Sequence, residues 1–207
     1  MRSMSTACAR CSSSLSAAEV FCGNCGSAAK DLAAQVAGPQ LVGSYGPAPG
    51  AWFPAARHRF PVRRLHLVDI ENLVGDPWPS LSQVREVRCL YTDCLAFGAM
   101  DQVEVAASSH RTLKNAAFGW PRVHYRARYG PDGADLALLD VLRHEDVAGR
   151  FTHVVIGSGD HLFAEEAARL AAQDVCVTVV SRRRSLSRQL AREAHQVILL
   201  DTMAEAA

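Results

Sequence analysis

The sequence predicts an α/β fold, a parallel sheet with helices packed on both faces. Three observations carry this reading. Six short apolar runs rich in β-branched residues (Leu65–Ile70, Val103–Ala107, Val123–Ala127, Thr152–Ile156, Val175–Val180 and Val197–Leu200) have the composition of buried strands. Between them lie stretches with helical spacing, at about Ser80–Phe97, His110–Phe118, Ala134–His144, Leu162–Gln173 and Leu186–Ala194. The two patterns alternate without a break, and strand–helix alternation is the signature of parallel pairing through helical crossovers.

Each segment has its own local warrant. Residues 1–30 hold two identical knuckles, Cys8-Ala-Arg-Cys11 and Cys22-Gly-Asn-Cys25, with ten residues between them. Four thiolates at this spacing make a closed tetrahedral cage for Zn²⁺, so the metal is expected to be structural and the module a zinc ribbon. A pair of disulfides is the alternative, and it needs an oxidising compartment. Residues 31–60 are rich in Ala, Gly and Pro, and the run from Gly38 to Gly50 cannot propagate a helix or a central strand; they read as a flexible linker. Residues 61–207 form the main domain. Pro79-Ser80 opens its first helix, and Ser185 is the expected cap of its last. In the helix Leu162–Gln173, the residues Leu162, Phe163, Ala167 and Leu170 make a core stripe, with Glu165, Glu166 and Arg169 expected outside.

Bulk properties bound the function. A chain of 207 residues has room for one ordinary domain and a small accessory one. Its 49% hydrophobic and 21% charged residues are those of a globular protein in water. No apolar run approaches the roughly 18 residues of a membrane span, and none precedes the first cysteine pair as a signal peptide does. The scattered Cys89, Cys94 and Cys176 read as reduced core residues, from which a cytoplasmic location is expected. The net charge is +1, with a basic excess in the first 60 residues and a slight acidic excess beyond. A nucleic-acid partner must therefore be argued from local patches.

In open parallel sheets ligands bind beyond the carboxyl ends of the strands. Asp69 ends the first apolar run, Asp135 falls in the first turn of the helix Ala134–His144, and Asp160 follows the strand Thr152–Ile156 at a helix start. Three carboxylates converging on one rim repel one another unless a cation neutralises them, and all-oxygen ligands suit Mg²⁺ or Mn²⁺. Such an ion serves phosphodiester hydrolysis. Each residue also has a plain structural reading: Asp135 as a first-turn acid, Asp160 as an N-cap, Asp69 as a buried acid with a partner. Asp140, five residues beyond Asp135, is either a further ligand or a solvated residue.

Taken as a set, Asp69-x-x-Asn72, Gly133-Ala134-Asp135 with Asp140, and Ser158-Gly159-Asp160 ahead of Phe163 resemble the NYN domain, a branch of the PIN-like ribonucleases. The resemblance spans about Arg64 to Asp201. It implies a Rossmann-like three-layer α/β/α sandwich and a metal-dependent ribonuclease. By motif, Asp69, Asp135 and Asp160 would be the acidic metal ligands. Asn72 would orient its loop or contact substrate, and Ser158 would hydrogen-bond within the Ser-Gly-Asp turn. The family commonly carries a second acid two residues after Asp160; here that position is Leu162. The departure leaves two functions open, a ribonuclease or an RNA- or protein-binding adaptor that keeps the fold. The zinc ribbon would then serve as an adaptor for substrate or a protein partner.

Two basic patches are candidates for gripping phosphate. Arg182-Arg183-Arg184, with Arg188 a turn further on, leave the same carboxyl rim as Asp69 and Asp160. Arg122, Arg126 and Arg128, interleaved with His124, Tyr125 and Tyr129, form the second. A solvated charge run and packed tyrosines are the corresponding structural readings.

Overall fold

A computed structural model of the chain describes residues 62–200 and, nearer the N-terminus, the backbone of two short strands. These are β1 (Thr6–Ala7) and β2 (Ser14–Leu15), paired antiparallel with Thr6 opposite Leu15. The expected zinc ligands Cys8, Cys11, Cys22 and Cys25 and the expected linker lie outside the described residues.

The main domain is an α/β fold with a six-stranded, all-parallel sheet. Its elements run β3 (Arg64–Asp69), α1 (Ile70–Val74), α2 (Leu81–Asp93), β4 (Gln102–Ala107), α3 (His110–Gly119), β5 (His124–Ala127), α4 (Gly133–His144), α5 (Val147–Arg150), β6 (His153–Gly157), a 3₁₀ turn (His161–Phe163), α6 (Ala164–Ala171), β7 (Cys176–Ser181), α7 (Arg188–Glu193) and β8 (Gln196–Leu199). The strand order is β5-β4-β3-β6-β7-β8. The chain winds outward from β3 to β5, returns to the centre through α4, and winds outward again from β6 to β8. The order thus reverses between β3 and β6, where Val68 lies opposite Gly157. A reversal of this kind opens a crevice at the carboxyl ends of the two central strands.

All six strands and five of the helices fall where hydrophobic periodicity puts them. Two cores form because side chains alternate across each strand. Leu65 and Leu67 face α4, α6 and α7 with Val154, Ile156, Val177 and Val179. Val68, Val105 and Val155 face α1, α2 and α3 through Leu73, Val84, Tyr91 and Trp120. The helix α1 is absent from the sequence reading. It starts because Asp69 caps it, its carboxylate accepting from the amides of Glu71 (3.0 Å) and Asn72 (3.1 Å). Ser80 opens α2 with a full capping box, its partner being Gln83. The last helix is capped by Ser187 rather than Ser185. Glu166, expected outside, is buried, and the guanidinium groups of Arg143 and Arg169, each at 2.7 Å, satisfy its carboxylate. Cys89, Cys94 and Cys176 form no disulfide and are at least partly buried. No helix among the described residues is long and apolar enough to cross a membrane.

Candidate active site

A cleft of about 350 Å³ opens at the carboxyl end of the sheet. Asp69, Glu71, Asp76, Asp132 and Asp135 line it, together with Asn72 and Ser108. The strand's two-residue period explains how the first acid meets the second segment of the motif. Leu65 and Leu67 point towards α4, so Asp69, two residues further, points the same way and meets Asp135 in the first turn of that helix.

Asp69 is 4% exposed and Asp135 is 7% exposed. Burial pushes the Asp69 carboxyl well above the usual carboxylate range, and the Asp135 charge beside it pushes further; the Asn72 amide pulls the other way. Asp135 is raised to about 6, first by burial, then by the charges of Asp160, Asp132 and Glu71, while its hydrogen bond with Asp69 lowers it. Burial and mutual proximity thus push both carboxyls towards holding their protons. The Oδ1 atom of Asp135 is buried with no hydrogen-bond partner. A buried carboxylate oxygen without a donor is costly, and it marks where a cation or a donor from a ligand fits.

The helix α1 ties the surrounding loops together. Glu71 accepts from the amide of Ser108 (3.0 Å) and from its hydroxyl (2.9 Å), which fixes the end of β4. Asn72 Oδ1 accepts from the Gly159 amide at 3.0 Å, which fixes the loop after β6. Arg182 Nη1 donates to Val74 O at 3.0 Å, which brings in the loop after β7. Gly75 ends α1 in the left-handed region (φ 73°), and the Arg182 guanidinium occupies the space a side chain there would need. Gly159 is similarly closed in: a Cβ there would run into Ser185 O and Ser181 Oγ.

The expected site residues divide into three groups. Asp69, Asp135 and Asn72 reach the cleft. Asp160 does not line it; it acts on Asp135 through its charge, caps the 3₁₀ turn by accepting from the Leu162 amide (2.9 Å), and pairs with His161 at 2.9 Å. Ser158 is fully buried and accepts from the Asp160 amide at 3.2 Å, so it shapes the turn and does not face a substrate. Asp140 stands apart, its carboxylate 3.4 Å from Arg128 and 3.9 Å from His144. Among the described residues no three His, Cys, Asp or Glu side chains are grouped as a ready-made metal cage. Asp69 and Asp135, with the orphaned Oδ1, still fit Mg²⁺, which is commonly held by one or two carboxylates with waters and substrate phosphates completing the shell.

In the first basic run, Arg182 is spent on the end of α1, whereas Arg183, Arg184 and Arg188 are exposed on the rim beside Ser185. The second patch is a set of ion pairs. Arg126 binds buried Glu104 (2.9 Å) and Glu145 (2.7 Å), and His124 lies 3.0 Å from Glu104. Tyr125 donates to Trp120 O at 2.7 Å and packs on the core, leaving Tyr129 as the exposed ring. Leu162 packs its side chain against the core under α4 and α6. Ser108, Asp76 and Asp132 are cleft residues that the sequence pattern does not single out, and Glu71 enters it only as a candidate to compensate for the acid missing at Leu162. Glu71, two residues beyond Asp69, is the one a helix at this point would have revealed.

No protein-family model matches the chain, and no curated protein matches it. Among solved structures, the chain is similar to a protein of unknown function from Vibrio parahaemolyticus, with 18% sequence identity and a TM-score of 0.42 over 68% of this chain and 93% of that one.

Proposed function

We propose that the chain is a metal-dependent ribonuclease of the PIN-like, NYN type, hydrolysing RNA phosphodiester bonds at the acidic cleft. One observation carries the reading: two buried carboxylates, Asp69 and Asp135, are held against each other at the strand-order reversal with an oxygen left unpartnered. Stability alone gives no reason to bury like charges. In this reading Asp69 and Asp135 hold Mg²⁺ or Mn²⁺, which when bound supplies charge neutralisation for the phosphoryl group and an activated water. Asp160 adds negative potential at the rim, and Asn72 holds the Gly159 loop in register with α1. Arg183 and Arg184 attract the phosphates on either side of the scissile bond. Hydrolysis adds water across one P–O bond and leaves a phosphate monoester and a hydroxyl.

A second reading, an RNA- or protein-binding adaptor, is favoured by Leu162, which places an apolar side chain where the family carries an acid. A mixed RNA pool incubated with the full chain in Mg²⁺, Mn²⁺ and EDTA separates the two. The ribonuclease reading requires cleavage in a divalent metal, abolished by EDTA and by Asp135→Asn. RNA retained on a filter but uncut in either metal supports the adaptor.

A further inference from the structure

The helix α3 (His110–Gly119) keeps its small residues on one side. Thr112, Ala116 and Gly119 are buried, and a Cβ at Gly119 would collide with Val84, so α3 sits directly on α2. The other side bears Arg111, Lys114 and Phe118, all exposed. Their spacing of three and four residues sets them on one line along the helix, about 10 Å from end to end. The helix contains no acid. Among the described residues Arg111 and Lys114 enter no ion pair. Elsewhere arginines are matched: Arg126, Arg128, Arg143, Arg150 and Arg169 each lie against a carboxylate. Arg111 also stands in the first turn of α3, where a cation opposes the helix dipole. Local stability gives no reason for this charge.

We propose that this face of α3 is a second contact for an RNA strand, outside the acidic cleft, that grips phosphates on the β4 side of it. The inference rests on the reading of the cleft as an RNA site and adds a binding surface to it. Placement is the first argument. Ser108 lines the cleft and Ser109 caps α3, so the line of cations begins at the cleft edge. The strand order puts α3 and the exposed Arg183 and Arg184 on opposite flanks. The helix follows β4, which adjoins β3, and the arginines follow β7, which adjoins β6. A strand laid across the reversal between β3 and β6 therefore meets cations on both sides. Charge is the second argument. A cleft lined by Asp69, Glu71, Asp76, Asp132 and Asp135 repels a polyanion, so affinity for RNA has to come from cations beyond it. Phe118, 65% exposed on the same line, offers a ring face to a base. An acidic protein segment would satisfy the charges and leave that ring without a matching partner.

The test measures binding of a fluorescent RNA to the full chain in EDTA over a range of salt, and then its cleavage in Mn²⁺. The double variant Arg111→Gln, Lys114→Gln should bind more weakly, with Tm unchanged. Its slope of log affinity against log salt should be shallower by about 1–2, the share of two phosphate contacts. The charge-keeping pair Arg111→Lys, Lys114→Arg should bind as the wild type does. In Mn²⁺ the glutamine pair should raise KM and leave kcat in place. Unchanged affinity and slope in the glutamine pair overturn the inference, and leave the ribonuclease reading standing where the wild type cuts RNA. Binding lost equally in the charge-keeping pair, with a lowered Tm, also overturns it, because the residues then hold the helix and not the phosphates. Polyglutamate bound by the wild type and lost in the glutamine pair, with RNA binding unchanged, gives the face to an acidic protein segment and overturns it too. RNA bound through α3 but cut in no metal defeats the ribonuclease reading and upholds the contact. A wild type that binds no RNA defeats both.

Discussion

Replacing Asp135 by Asn should make the metal-free protein more stable while abolishing the proposed RNA cleavage. The carboxyl of Asp135 is raised from 3.8 to about 6. Each pKa unit corresponds to about 1.36 kcal/mol, so keeping this side chain ionised in the folded state costs about 3 kcal/mol at neutral pH. The ionised form recovers about 0.3–1 kcal/mol from its place at the N-terminal turn of α4. An asparagine of the same shape removes the repulsion and can donate its amide to Asp69. The net gain expected is about 2 kcal/mol, or about 4–8 °C in Tm for a chain of this size. The sign follows from proton binding. Between pH 3.8 and about 6 the folded state holds a proton on Asp135 that the unfolded chain releases, so wild-type stability falls as pH rises through that window. The difference between variant and wild type should therefore be near zero below pH 4 and full above pH 6.5. Differential scanning calorimetry in EDTA from pH 4 to 7.5 measures it. Adding Mn²⁺ should then raise the wild-type Tm and leave that of Asp135→Asn unmoved. A variant less stable than wild type at pH 7.5 in EDTA, or a difference that does not change with pH, would show that the two carboxylates do not repel each other in the folded state.

Four further outcomes are expected. His66 is lowered to about 4, chiefly by burial and against the opposing pull of Asp101, so it costs stability as pH falls from 6.5 towards 4; His66→Gln should remove an acid-side loss of about 3 kcal/mol in urea titrations, opposite in slope to the Asp135 effect over the same range. Gly159→Ala should displace the loop held by Asn72, because Ser185 O and Ser181 Oγ fill the space, and should lower both Tm and the rate of the proposed RNA cleavage. The pair Arg183→Gln and Arg184→Gln should weaken RNA binding and make the slope of log affinity against log salt shallower by about 1 for each phosphate no longer gripped, with no change in Tm. The purified full chain should contain one zinc per molecule by elemental analysis, and Cys8→Ser with Cys22→Ser should remove it.

The architecture was legible because buried parallel strands and amphipathic helices write their periods directly into the chain. The placement of Asp69 was legible for a different reason: no packing argument accounts for an acid at the end of Leu65–Val68. Its partner Asp135 was named by the same rim argument, and the shared face of β3 and the crossover through α4 are what bring the two together. What escaped the sequence was short or paired. The five-residue α1 is too brief to show a helical period, and with it went the cleft role of Glu71 and the Asn72–Gly159 tie. Glu166 looked solvated because its two arginine partners come from α4 and α6. Arg126 looked free because Glu104 lies on the neighbouring strand. Charge runs read from sequence show which groups are present, and pairing across elements decides which of them remain available.

The order of the strands also bears on how the protein is made. Synthesis from the N-terminus delivers β3, β4 and β5 first, leaving one side of β3 without a hydrogen-bonding neighbour until β6 emerges some ninety residues later. A ribosome that stalls between those points releases a half-sheet with a bare central edge and a greasy underside. Such fragments should aggregate, and they should be unable to close the cleft, because the Gly159 loop that Asn72 grasps has not yet been translated.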